Sequence, residues 1–307
     1  MARTTVAIIT LNRAEMLRHC LECLCRQTRP ADEVVIVDNG SEDGTRAVVY
    51  ECAARLPIRY VVEPKRGYSS ARNAALRAAR GDIVLFTDDD CDAAPDWCRA
   101  LCAPIEAGGA DLVGGAKLPG EPANYTMWAD YLCTESAVLH PSLPRGPRPA
   151  LSTSNLALAR RVIEKTGEFD ERFLMCEDRD FCMRATGMGF RLLFEPTALV
   201  YHRGLARSVS AYLDKMRRYG RGSIYYNLTH GQAEPLARIF PRRVAPAAAF
   251  FPEYAAMTAA YLLWHNVRLE FARTLQNWPL ILLGACWRQY GMIQGIRYYR
   301  KLEQACR

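Results

Sequence analysis

Apolar runs of strand length alternate with helically spaced apolar residues along the first part of the chain. The runs are flanked by turn residues, and the segments between them place apolar residues three and four positions apart. This order predicts strand–helix–strand units with right-handed crossovers. The fold class is therefore α/β, with a mostly parallel, Rossmann-like sheet flanked by helices. The predicted strands are residues 6–10, 34–37, 58–62 and 83–86, and the predicted helices are residues 13–25, 45–56 and 69–80.

The pattern changes after the fourth predicted strand. Residues 119–149 are rich in proline, aromatic and polar residues, which predicts a surface excursion or loop. Strand-like and helical segments return up to residue 201, and the chain then becomes helical, basic and apolar. We expect one α/β domain over residues 1–205 and a helical C-terminal region over residues 206–307.

Two apolar stretches of the C-terminal region fall short of the rule for a membrane-spanning helix. Residues 278–287 cover about half of the ~20 residues that a span needs, and residues 244–264 contain Pro246, Pro252 and Glu253. Trp, Tyr and Arg are interleaved with these stretches, which suits helices that lie at the headgroup level of a membrane. Ordinary helices that cap the α/β domain are the alternative.

The composition is that of a folded protein, with 50% hydrophobic and 24% charged residues. A net charge of +7 fits an anionic ligand, a membrane surface or nucleic acid, and does not choose between them. Because a strand begins almost at the first residue, we expect no signal peptide, a cytoplasmic location and reduced thiols. The 12 cysteines lack the paired spacing of a zinc site, and Cys98 and Cys102 are interpreted as small buried hydrophobes.

Three consecutive aspartates, Asp88, Asp89 and Asp90, directly follow the fourth predicted strand. Adjacent carboxylates repel one another, and a hard divalent cation such as Mg²⁺ or Mn²⁺ relieves that repulsion. In an extended chain Asp88 and Asp90 point to one side, so we predict that these two bind the metal. Thr10 and Asp38 also end predicted strands, at the sheet edge where ligands collect. An acidic loop before a helix is the alternative interpretation.

Three further positions are candidates for chemistry. Glu177 and Asp178 open a predicted helix, where they could serve as caps or could supply a general base. Arg72 lies one turn into a helix that follows a glycine turn, where it could reach an anion or remain a surface residue. His202 follows a predicted strand and is either structural or a metal ligand.

Taken together, these residues resemble glycosyltransferase family 2, whose members have the GT-A fold. The motifs occur in the family's order and at similar separations, and the resemblance covers about residues 5–205. The motifs are Thr10-Leu-Asn-Arg13, Val37-Asp-Asn-Gly-Ser41, Arg66-Gly-Tyr68 with Ala71-Arg-Asn73, Thr87-Asp-Asp-Asp90, Ser154-Asn-Leu-Ala157, Gly167-Glu-Phe-Asp-Glu171 and Glu177-Asp178.

The resemblance implies a reaction and a role for each matching residue. The donor would be a nucleoside diphosphate sugar, commonly a UDP-sugar, with Mn²⁺ or Mg²⁺ as cofactor, and transfer would invert the anomeric centre. Asp178 would be the general base beside Glu177. Donor binding would fall to Thr10, Asn12, Arg13, Asp38, Arg72, Asp88 and Asn155, and metal binding to Asp88, Asp90 and His202.

Other functions and partners stay open at this point. A sugar nucleotidyltransferase would carry a Gly-rich, Lys-bearing loop after the first strand, which Thr10-Leu-Asn-Arg13 lacks. A non-catalytic nucleotide-sugar or glycan-binding module is the second alternative, against which the intact Asp178 argues. The arginines are dispersed, so we expect no nucleic-acid partner. The acceptor could be a glycan, a lipid or a small molecule, and a homodimer or peripheral contact with the inner face of the membrane is also open.

Overall fold

The computed structural model describes residues 1–230 and 251–305, and the chain divides into two compact units. Unit 1 comprises Met1–Glu121 and Val138–Gly204, and unit 2 comprises Pro122–Ala137 and the described residues from Leu205 onward. The sequence-based boundary near residue 205 did not separate residues 122–137 from the α/β domain. The functions that we assigned to residues 1–205 and 206–307 remain predictions.

The first half of the unit 1 sheet is built from the alternating elements that the apolar pattern predicts. β1, β2 and β4 are almost wholly buried, as expected for parallel strands covered by helices, whereas β3 at the sheet edge is partly exposed. The elements are β1 (Thr4–Thr10), α1 (Ala14–Leu24), β2 (Glu33–Asp38), α2 (Thr45–Cys52), β3 (Ile58–Val62), α3 (Tyr68–Ala78) and β4 (Ile83–Asp88). β1 pairs in parallel with β2 and β4, and β2 pairs in parallel with β3. The predicted α/β class is confirmed.

The second half of the sheet introduces antiparallel neighbours. Its elements are β5 (Cys91–Ala93), α4 (Trp97–Glu106), β6 (Leu112–Pro119), β7 (Gly146–Pro147), β8 (Asn155–Ala159), α7 (Arg160–Thr166), α8 (Glu177–Gly187) and β9 (Leu192–His202). The strand order is β3-β2-β1-β4-β8-β6-β9-β5, with β7 added on β9. β8 runs antiparallel to β4 and β6, whereas β6 and β9 are parallel. The carboxyl end of β4 therefore lies beside the start of β8.

The prediction of a surface excursion over residues 119–149 is wrong. This stretch contains two helices, α5 (Tyr125–Thr134) and α6 (Ser136–Leu139), as well as β7. Asn124 caps α5, because its side chain accepts a hydrogen bond from the Met127 N–H at 2.9 Å. Most of α5 is buried. Trp128 and Tyr131 of this helix are core residues, although the prolines that follow favoured a loop in the sequence analysis.

Unit 2 is helical and is held together by close backbone contact. Its long helices are α9 (Val209–His230), α10 (Phe251–Leu269) and α11 (Phe271–Ala305). A methyl group on Gly220 or Gly291 would come within about 2 Å of a carbonyl on the facing helix, so α9 and α11 can approach this closely only at glycine. Residues 244–250 of the predicted apolar stretch lie outside the described residues. Of the described helices, none has an apolar stretch long enough to cross a bilayer.

Candidate active site

The three aspartates do not alternate along an extended strand. β4 ends at Asp88, and Asp89 and Asp90 form a turn before β5. Asp89 and Asp90 are buried and share one guanidinium nitrogen of Arg13, at 3.0 and 2.6 Å. Asp88 is partly exposed and faces Arg72 instead, at 3.4 Å. The alternation argument that paired Asp88 with Asp90 therefore does not apply, because the chain turns after Asp88.

Residues of β1 and the following loop stabilise this acidic turn. The Thr10 hydroxyl donates a hydrogen bond to Asp89 at 2.7 Å. Burial and the neighbouring Asp90 charge raise the pKa of Asp89, although Arg13 and Thr10 oppose the shift. Burial alone would also raise the pKa of Asp90, but His202 and Arg13 hold it well below its ordinary value. The pKa of Asp90 is therefore lower than that of Asp89.

Asp90 and His202 form the candidate metal centre. Ligand atoms of Asp90, Cys91 and His202 lie within 4.8 Å of one another, and His202 Nε2 is 3.4 Å from Asp90 Oδ1. Among the described residues, the Asp88 carboxylate is not part of this group. A side chain at Gly204 would place its Cβ 1.9 Å from Asp90, so only glycine leaves space there. Carboxylate and imidazole are ligands that Mn²⁺ accepts, so the donor set fits the expected cofactor.

Lys117 is a site residue that the sequence reasoning missed. It lies in β6, its side chain is buried, and its charge helps to lower the pKa of Asp90. The signal was a single lysine in an otherwise apolar strand, since buried lysines are rare unless they face a negative charge. Lys117 therefore adds positive charge to the place where an anionic diphosphate is expected.

Arg72 connects the aspartate cluster with the second acidic motif. Its guanidinium is buried and contacts the Glu177 carboxylate on one side and Asp88 on the other. The guanidinium also lies over the ring of Tyr68, 5.6 Å from its centroid. Burial alone would lower the pKa of Arg72, but Glu177 and Asp88 raise it above its ordinary value. Two motifs 89 positions apart, Asp88 and Glu177, thus meet on one cation.

Asp178 lies at the start of α8 and is better placed for contact with a ligand than Glu177. Glu177 is buried, whereas Asp178 is only partly buried. The Asp178 carboxylate accepts hydrogen bonds from the backbone N–H groups of Thr153, at 3.3 Å, and Arg179, at 2.8 Å. These bonds and the N-terminus of α8 stabilise a negative charge. Burial raises the pKa of Glu177.

Asn12 and Asp38 brace the loop between β2 and α2. Asp38 accepts hydrogen bonds from the Ser41 N–H, at 2.7 Å, and from the Tyr60 hydroxyl. Asn12 has a positive φ of 53°, and its side chain accepts a hydrogen bond from the Glu42 N–H at 2.8 Å. Asp38 ends β2 at the carboxyl edge of the sheet, as predicted, and Asn12 lies in the connection that follows β1. Their contact with a nucleoside remains a prediction.

Asn155 has a structural role in this geometry. Its side-chain amide donates to the carbonyls of Ala116 and Ala198, both at 2.8 Å. Its Oδ1 accepts a hydrogen bond from the Trp97 indole at 2.8 Å, and the residue is almost wholly buried. Both amide N–H groups are used within the protein, and contact between this residue and the donor remains a prediction.

The chain matches the family described as "Glycosyl transferase family 2" over residues 5–165, slightly more than half of its length. The chain belongs to glycosyltransferase family 2. Among its relatives is the glycosyltransferase AglE of Haloferax volcanii, 30% identical over 78% of this chain and 77% of AglE. This family 2 glycosyltransferase is also 29% identical to the pre-mycofactocin glycosyltransferase of Mycobacterium tuberculosis, over 79% of this chain but only 49% of that protein.

Solved structures show the same fold. The mannosyltransferase PcManGT from Pyrobaculum calidifontis, in complex with GDP-Man and Mn²⁺, superposes with a TM-score of 0.58 at 23% identity. That match covers 92% of this chain and 86% of PcManGT. TarS residues 1–349 from S. aureus match with a TM-score of 0.52 at 16% identity, over 97% of this chain and 91% of the other. The family 2 glycosyltransferase thus has the expected GT-A fold.

Proposed function

We propose that this glycosyltransferase moves a sugar from a nucleoside diphosphate donor to an acceptor hydroxyl with inversion at the anomeric carbon. UDP-sugars are the first donors to test, and Mg²⁺ or Mn²⁺ is the proposed cofactor. The acceptor is a glycan, a lipid or a small molecule. The cytoplasmic location and a homodimer remain predictions.

The observation that carries this proposal is the double contact of Arg72. The guanidinium touches Asp88 beside the acidic turn and Glu177 beside Asp178. A displacement at a sugar carbon needs the leaving diphosphate and the general base at one site. The Arg72 bridge brings the residues proposed for these two roles together in unit 1, although they are far apart in sequence.

The proposed reaction is a single displacement. Asp178 takes the proton of the acceptor hydroxyl, and the acceptor oxygen forms a bond to the anomeric carbon. The bond between that carbon and the diphosphate oxygen breaks, and its electron pair leaves with the diphosphate. Glu177 is buried against Arg72 and orients the start of α8, so that the partly exposed Asp178 faces the acceptor.

Residues of the acidic turn and its neighbours would receive the diphosphate. Asp90 and His202 would hold the metal ion, which when bound neutralises charge on the leaving group. Asp88 would contact the donor from the edge of the site. Lys117 and Arg13 supply positive charge around Asp90. Thr10, Asn12 and Asp38 are proposed to border the nucleoside, since they lie at the ends of β1 and β2.

A panel of UDP- and GDP-sugars, assayed with Mn²⁺ and with EDTA, tests the proposal. We expect hydrolysis or transfer from one donor with Mn²⁺ and loss of turnover with EDTA. Asp178→Asn should keep nucleotide binding in calorimetry but lose transfer, because an amide cannot accept the proton. Glu168→Gln, which changes an exposed carboxylate of the same unit, is the matched control.

Two outcomes would contradict particular parts of the proposal. Equal turnover with EDTA and with Mn²⁺ would show that Asp90 and His202 do not act by binding a metal ion. Full transfer by Asp178→Asn would show that another group is the base. The absence of any nucleotide binding in the parent protein would favour a non-catalytic member of the family.

A further inference from the structure

The outward face of α10 and α11 in unit 2 is apolar. The side chains of Trp264, Phe271, Leu275 and Trp278 are each more than half exposed, at 51–63%. Single exposed apolar residues are common on proteins, whereas a contiguous apolar face indicates a binding surface. The exposed large apolar residues of the two helices, here called the outer face, are Met257, Tyr261, Trp264, Val267, Phe271, Leu275, Trp278, Leu282, Trp287 and Tyr290.

The spacing of these residues places several of them on one side of α11. Phe271, Leu275, Trp278 and Leu282 follow one another at intervals of four, three and four residues. Residues at such intervals lie above one another on a helix, so their side chains form one stripe. An exposed apolar stripe of this kind is typical of a surface that binds a partner.

The buried positions of the two helices combine apolar residues, such as Leu262, Ile281 and Ile296, with several polar ones. Asn266, Thr274, Asn277 and Gln289 are buried. Asn266 donates to the Leu132 carbonyl in α5, at 2.8 Å, and Thr274 and Asn277 each donate to the backbone carbonyl four residues earlier. The helices therefore bury apolar side chains within unit 2 and also expose apolar side chains on the outer face.

The outer face combines aromatic side chains with positive charge. The Arg268 guanidinium lies 4.5 Å from the centroid of the Trp264 ring. Of the described residues of α10 and α11, three exposed arginines, Arg268, Arg273 and Arg297, accompany one exposed acid, Glu253. Tryptophan and tyrosine favour the headgroup layer of a membrane, and arginine is attracted to anionic lipids. A second copy of the chain would instead bring the same positive charges together.

From these observations we propose that the outer face binds the surface of a membrane that contains anionic lipids. The apolar side chains insert to the depth of the headgroup–acyl boundary, and the arginines contact lipid phosphates. The buried side of the same helices stays within unit 2. This contact does not depend on the proposed reaction.

Flotation of the full chain with vesicles tests this proposal. The chain should float with mixed phosphatidylcholine–phosphatidylglycerol vesicles, and salt or pure phosphatidylcholine should weaken the association. The double variant Leu275→Ser/Trp278→Ser should partition ~30-fold less, since it removes two apolar side chains from the lipid contact. Tyr50→Ser/Met188→Ser removes apolar side chains of similar exposure, 58% and 55%, from unit 1 and should float like the parent.

Circular dichroism melts show whether each variant keeps the fold, which we expect because the substituted side chains are exposed. Flotation of a folded Leu275→Ser/Trp278→Ser chain at the parental level would overturn the proposal. So would failure of the parent chain to float. Light scattering adds a third outcome that would overturn the proposal. If the parent chain is a dimer that does not bind vesicles, and the Leu275→Ser/Trp278→Ser variant is a monomer, the outer face binds a second copy of the chain.

Discussion

Replacing Arg72 by methionine removes the cation that two acidic groups of the candidate active site share. Arg72 and Glu177 each have only 7% of their side chain exposed, so the Glu177 carboxyl group would stay buried without its partner. Removing one partner of a buried ion pair costs about 3–5 kcal/mol. The free energy of unfolding of unit 1 should fall by that amount.

Replacing the other partner, Glu177→Leu, should lower the free energy of unfolding by less. Arg72 would keep its contact with Asp88 at 3.4 Å, and Asp88 is partly open to water. We expect about 1–3 kcal/mol, the usual cost of a disrupted hydrogen bond to a charged group. The double variant Arg72→Met/Glu177→Leu removes both buried charges together, so its loss should be smaller than the sum of the two single losses.

Thermal melts and urea titrations of the four proteins measure this coupling. A loss of 3–5 kcal/mol corresponds to a fall in melting temperature of about 6–20 °C for a domain of this size. Arg77→Met is a suitable control, because Arg77 pairs with Glu168 at the surface and both side chains are about half exposed. Additive losses in the double variant, or an Arg72→Met melt equal to that of the control, would refute the buried bridge.

The remaining predictions concern Asn155 and Glu177. Asn155→Ala leaves the Trp97 indole and two backbone carbonyls without hydrogen-bond partners in the core, so the urea midpoint should drop by the equivalent of about 2–4 kcal/mol. An unchanged midpoint together with weaker donor binding would instead show that Asn155 contacts the donor. Burial raises the pKa of Glu177, with Asp178 adding to the shift and Arg72 opposing it. The folded state then holds this proton more tightly, and parental stability falls as pH rises from the ordinary glutamate range through the raised pKa. Relative to the parent, Glu177→Gln should therefore become more stable with rising pH in thermal melts, and a constant difference would contradict the shift.

The first four strands and three helices could be predicted from the sequence because each carries its own periodic signal. Thr10, Asp38 and Asp88 were placed at one sheet edge by the rule that parallel strands end together, and the register confirms their proximity along the edge. No such local signal specified residues 122–137. Their burial depends on packing within unit 2, which is a long-range property.

Side-chain pairing in the site was less predictable than strand order. The turn at Asp89 and Asp90 directs two carboxylates toward Arg13. Aspartate is common both in turns and in metal sites, so the residue type alone did not identify the turn. The assignment of Arg72 to a ligand missed its buried contact with Glu177, since nothing in the sequence shows that the two motifs meet. Lys117 and Gly204 could not be assigned to the site from the sequence, because their importance depends on their proximity to Asp90 in the folded chain.

The Arg13 bridge has a consequence for how the acidic turn comes to exist. Carboxylates brought together in a folded chain repel one another unless a positive charge accompanies them. Arg13 comes from the connection that follows β1, so the same pairing of β1 with β4 that builds the sheet also delivers the compensating charge to Asp89 and Asp90. The acidic turn can therefore assemble as the polypeptide folds, before any ligand binds, and it would present a preorganised arrangement to the proposed donor.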